Sequence, residues 1–131
     1  MAPNENPVPE RLRSFIRQYI TSLEQLEILL LLSNEPARIW TVEQIFKVVQ
    51  SNQHSIADRL QSLVAFGFLK AEGDAGSKFR FSPKSGEMDG LVKELKQIYP
   101  MARARVIEII YSRKAGQAQH FADSFKLKRN Q

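Results

Sequence analysis

A chain of 131 residues, 43% hydrophobic and 25% charged, has the size and make-up of one globular domain that buries a core without staples. It holds no cysteine, which excludes disulfides, thiolate metal sites and a cysteine nucleophile. The net charge of +5 is uneven: residues 22–99 carry nine basic and ten acidic side chains, residues 100–131 seven basic and two acidic. The longest apolar run, Ile28 to Leu32, is far too short to span a bilayer, so no membrane partner is expected. Met1 to Pro9 has three prolines and no apolar core, unlike a secretory signal, and a cytoplasmic location is expected.

In chain order, residues 1–9 read as a disordered arm. Pro9 suits the first turn of a helix, and Leu12, Phe15, Ile16, Tyr19 and Ile20 recur on one face of it. That stripe packs either on its own domain or in a dimer interface. Ser22 with Gln25 fits a capping box before a helix apolar on nearly every side, ended by Ser33-Asn34-Glu35-Pro36. Arg38-Ile39-Trp40 suits a short strand, with Trp40 read as core. Thr41 with Gln44 caps a short helix to Val49. Ser51 to His54 breaks it, and Ser55 to Phe66 forms the next helix, with Ile56, Leu60, Leu63 and Val64 inward and Gly67 as its stop.

Phe68 to Glu72 and Lys78 to Ser82 alternate as two strands around Gly73-Asp74-Ala75-Gly76, and Arg80, between Phe79 and Phe81, faces away from the core. Gly86 to Tyr99 is amphipathic. Pro100 disfavours helical geometry at Tyr99 and kinks or restarts the helix. Val106, Ile107, Ile109 and Ile110 make the next helix apolar, ended by Ser112 to Gly116. Gln117 to Phe125 suits a last short helix, and Lys126-Leu127-Lys128-Arg129 is a basic tip. The division is a 1–9 arm, a 10–99 domain with its flanking helix, and a basic helical extension over 100–131. The fold class is mostly α with a small β-hairpin, and the order of elements resembles a winged helix-turn-helix flanked by N- and C-terminal helices.

The spacing of Ile56, Leu60 and Leu63, followed by Gly67 and an apolar pair, resembles the recognition helix of MarR-like winged-helix regulators. Phe79 to Gly86 resembles their second wing strand and the start of the next helix. The resemblance spans Ser22 to Leu95, and it implies a DNA-binding domain. The Asp-x-Arg wing element of MarR proteins is missing; Gly73-Asp74-Ala75-Gly76-Ser77-Lys78 stands there instead.

In such a fold the start of the second helix of the pair enters the major groove, which here places Asn52, Gln53, His54 and Ser55 on base edges. Arg59 and Lys47 are candidates for phosphate, and Lys78 and Arg80 for the minor groove or backbone. Arg103 and Arg105 are auxiliary phosphate candidates. Asp58, Glu72 and Asp74 act against phosphate. Constellations for catalysis are absent. His54 and His120 are the only histidines and have no second ligand at suitable spacing, and no phosphate loop occurs, so no enzyme, metal or cofactor is expected. The expectation is a DNA-binding transcriptional regulator, a homodimer through its terminal helices, with double-stranded DNA as partner. The alternative is a winged-helix adaptor that binds a protein partner and no DNA. The basic C-terminal part is read as a second nucleic-acid contact, a docking helix, or a dimer arm with solvated charges.

Overall fold

The computed structural model describes residues 7–112. In chain order these form α1 (Glu10–Tyr19), α2 (Leu23–Asn34), β1 (Trp40–Thr41), α3 (Val42–Val49), α4 (Gln53–Phe66), β2 (Leu69–Glu72), β3 (Lys78–Phe81) and α5 (Gly86–Ile98). A further helix, α6, runs from 103 to 112. The sheet is antiparallel in the order β1-β3-β2.

Four of the helices, α2 to α5, start where a side chain replaces the missing helical acceptor, whereas α1 starts after Pro9 with no side-chain cap. Ser22, Thr41, Asn52 and Ser85 accept from the backbone amides of Gln25, Gln44, Ser55 and Met88. At Thr41 the box is complete, because the Gln44 side chain returns to the Thr41 amide at 3.0 Å. At Ser22 it is half formed. The Gln25 side chain reaches one residue further back, and its Oε1 accepts from the amide (2.6 Å) and hydroxyl (3.1 Å) of Thr21. Pro9 sits one position before the expected one: it precedes the first helical residue, Glu10.

The core takes one face from every helix. Leu26, Ile28, Leu29 and Leu32 of α2, Ile45 of α3, Ile56, Leu60 and Leu63 of α4, and Val92 and Leu95 of α5 are all fully buried. Strand alternation puts Leu69, Phe79 and Phe81 inward, and Trp40, paired with Phe79, joins them at 2% exposure. The guanidinium of Arg38 lies 3.6 Å over the Trp40 ring and covers its outer face. The stripe of α1 is buried within its own chain. Phe15 and Tyr19 meet Phe68 and Phe66 through ring contacts of 5.5–5.7 Å, which dock α1 on the end of α4 and the start of β2. Val8, placed in the arm on sequence grounds, is fully buried, and its carbonyl accepts from Arg13 at 2.9 Å.

β1 covers Trp40 and Thr41 rather than the expected Arg38 to Trp40, and two larger departures concern helix ends. The turn between α3 and α4 is only Gln50 to Asn52, because Asn52 caps a helix that starts at Gln53 rather than Ser55. Gln50 supplies the reversal by adopting the left-handed conformation (φ 57°, ψ 42°) that glycine more often fills. Tyr99, in front of Pro100, is helical (φ −52°, ψ −48°). The break falls just after it: the Ile98 carbonyl takes the amides of Met101 and Ala102, both at 2.9 Å, and α6 then restarts. The expected helix over 117–125 and the basic tip lie outside the described residues.

Candidate nucleic-acid interface

The first two turns of α4 pack on the domain with one side and present the other to solvent. Ile56 and Leu60 anchor the inner side, while Gln53, His54 and Asp58 are exposed and Ala57 is half-buried. The Asn52 side-chain oxygen Oδ1 is committed to the cap, accepting from the Ser55 amide at 3.0 Å, so at this exposed position the side-chain NH2 remains as a donor. His54 is 88% exposed and lies 3.8 Å from the Asp58 carboxylate one turn on.

Ser55 and Arg59 turn toward α2 instead. Glu24, in the first turn of α2, accepts from the Ser55 hydroxyl at 2.5 Å and from Arg59 Nε at 3.0 Å with one oxygen. Its other oxygen accepts from the Ser51 hydroxyl at 2.5 Å. The Glu24 side chain is only 16% exposed. Burial by itself would raise its pKa, but the bonds from Ser51, Ser55 and Arg59, with the Arg59 charge, outweigh that and hold it below the ordinary carboxylate value. A lowered carboxylate pKa stabilises the fold above the unfolded-state value, and the contribution disappears as pH falls through the folded value. The stability difference between wild type and Glu24→Gln is therefore expected to be largest at about pH 7 and to shrink toward about pH 3 in urea titrations. A constant difference across that range would show that the charge of Glu24 is immaterial.

The hairpin forms the second part of the surface. Register sets Lys70 opposite Arg80 and Glu72 opposite Lys78, with Leu69, Ala71, Phe79 and Phe81 on the other face. The outer face thus carries three cations and one carboxylate. Glu72 pairs with Arg80 through two of its nitrogens, at 2.6 and 2.8 Å, whereas Lys70 and Lys78 are exposed and have no ion pair among the described residues. Gly73, Ala75 and Gly76 all take positive φ and close the tip. Lys47 is exposed on α3. Arg103 and Arg105 sit on α6, the first 5.4 Å over the Tyr99 ring and the second bound to Glu108 at 3.0 Å.

Of the residues singled out from sequence, Asn52, Gln53 and His54 are brought together at the start of α4, and Lys78 and Arg80 on the wing. Ser55 and Arg59 are drawn into the seam with α2. Glu24, Lys70 and Lys84 were not foreseen. Alternation about Leu69 would have found Lys70; nothing local marks Glu24, whose partners lie 27 to 35 residues away. Among the described residues no cluster of His, Asp and Glu is placed to hold a metal ion, and no helix is long and apolar enough to cross a membrane.

A helix pair α3–α4 packed on α2, followed by a hairpin whose inner strand also pairs with β1, is the winged helix-turn-helix fold. Solved structures share it. One is MepR, a transcription regulator of the Staphylococcus aureus multidrug efflux pump MepA, with a TM-score of 0.52 and 16% identity over 93% of this chain and 89% of that one. Another is a glutamine-to-proline mutant of MepR from a multidrug-resistant S. aureus clinical isolate, with a TM-score of 0.51 and 15% identity over 93% and 88%. At such identities the likeness is one of fold, and it agrees with the layout expected from the sequence. No family model and no curated protein sequence matches the chain.

Proposed function

We propose that the protein is a DNA-binding transcriptional regulator that works as a homodimer. The observation that carries this reading is the start of α4: a capped helix end that holds Asn52, Gln53 and His54 exposed, on the same helix whose far end carries a wing with cations on its outer face. Amide and imidazole side chains at that position suit base edges in the major groove. Lys47, Lys70, Lys78 and Lys84 are exposed cations without ion pairs among the described residues and suit phosphate. The fold shared with MepR, itself a transcription regulator, supports the same reading.

The dimer rests on α6. Its inner face buries Val106, Ile109 and Ile110, yet Met101 before it and Tyr111 near its end stay 80% and 47% exposed, with Ala104 and Ile107 between them. That second apolar stripe suits a copy of itself. Two copies would present two α4 helices to a two-fold site. The adaptor reading keeps one observation in its favour: Arg59 and Arg80 are each held by a carboxylate of their own chain.

Gel shifts on a random duplex pool test the proposal. Selection of one sequence class is expected, with Gln53→Ala losing about 1–3 kcal/mol of discrimination, or roughly fivefold to 150-fold. Lys78→Ala is expected to weaken all duplexes alike and to lower the salt slope by about one. Failure to enrich any duplex would favour the adaptor. Sedimentation of a Tyr111→Glu variant tests the dimer, which is expected to dissociate.

A further inference from the structure

The carboxylate of Glu24 is the only side chain that hydrogen-bonds α2 to α4 among the described residues. Beside it the helices are mainly apolar: Ile28 and Leu32 of α2, on the same side of that helix as Glu24, and Ile56, Leu60 and Leu63 of α4 are all fully buried. Apolar packing holds two helices together but is not directional, and it tolerates small slides and rolls. Three bonds to one carboxylate are directional. They fasten the turn (Ser51) and two successive turns of α4 (Ser55, Arg59) to a single point. That point is the first turn of α2, where the helix dipole itself favours a negative charge.

From this geometry we infer that Glu24 is a positioning residue for base reading: it sets the axial position and roll of α4, and Arg59 serves that clasp instead of contacting phosphate. The inference rests on the DNA-binding reading. Base-edge hydrogen bonds need side chains placed within about 0.5 Å and 10–20°, whereas phosphate attraction tolerates far more. Loss of the clasp should therefore erode sequence discrimination and leave general affinity. Glu24 acts here only through α4; it touches no base.

The alternative is that Arg59 contacts phosphate in the wild-type complex while still paired with Glu24. Glu24→Gln and Arg59→Gln separate the two. On the full chain, three quantities are measured: amide exchange at Ile56 to Arg59 without DNA, the affinity ratio between a pool-selected duplex and a random duplex, and the salt slope on each. The clasp predicts faster exchange in both variants and a ratio lowered about tenfold in both. The salt slope of Glu24→Gln should steepen by about one, because Arg59 is released, while that of Arg59→Gln stays at the wild-type value. Unchanged exchange overturns the inference. So does a slope reduced by about one in Arg59→Gln together with an unchanged ratio in Glu24→Gln. Wild-type protein that retains no duplex overturns the DNA-binding reading itself, and is told apart because no ratio then exists to be lowered.

Discussion

Replacing Phe68 by alanine is expected to cost about 3–5 kcal/mol, a large part of the roughly 5–15 kcal/mol that a domain of this size has. Phe68 is fully buried where three elements meet. Its ring packs edge-on against Phe15 and Tyr19 of α1, at 5.7 and 5.5 Å. Its amide donates to the Leu63 carbonyl in the closing turn of α4, and its carbonyl accepts from the Ser82 amide leaving the wing. The backbone bonds survive truncation and the ring contacts do not, so the loss is a cavity with the edge-to-face energy added. Urea unfolding should read it directly, with a fall in melting temperature of roughly 10–20 °C. A loss below about 1 kcal/mol would mean that α1 collapses into the space, and that its docking is looser than the aromatic cluster implies.

Gly67→Ala is expected to cost about 1–2 kcal/mol for backbone reasons. Gly67 sits at φ 94°, ψ 19°, where it ends α4: its amide donates to the Val64 carbonyl, and the next amide, Phe68, to that of Leu63. A methyl group there would come within 2.5 Å of Lys84 Cδ and 2.9 Å of Cγ. Lys84 is exposed, so its stem can swing aside and the clash is the smaller part of the cost. The double variant Gly67→Ala with Lys84→Ala separates the contributions. Little recovery is expected; full recovery would assign the loss to the clash.

The parts of the fold that follow from local chemistry were readable from the sequence. The Thr41–Gln44 box, the Gly67 stop and the Phe79–Arg80–Phe81 alternation all act within a few residues, and all appear where expected. The start of α4 was misplaced by two residues because a turn from Gln50 to Asn52 needs a non-glycine residue at positive φ, which propensity disfavours. Tyr99 departs from expectation for a related reason: the steric rule for a residue before proline is a bias, and Tyr99 keeps the helical bond from its amide to the Leu95 carbonyl at 2.8 Å. At the site, Gln53 and His54 could be placed from their position at a helix start. The turning of Ser55 and Arg59 toward Glu24 could not, while that of Arg80 toward its diagonal neighbour Glu72 follows once the strand register is known. Ion-pair partners in space are not set by spacing along the chain unless they share a helix or a strand pair, and Glu24 shares neither with Arg59.

The strands of the wing leave and return through one backbone clamp, in which Ser82 donates to Phe68 and Lys84 donates to Gly67, at 2.9 and 2.8 Å. The wing is thus hung on the end of α4 by main-chain atoms, which no substitution other than proline removes. Its aim is inherited from the helix, while the chemistry it displays belongs to Lys70, Glu72, Lys78 and Arg80. Exchanging those four side chains can change the charge that the wing displays without redirecting it, so display and scaffold are separable in this hairpin.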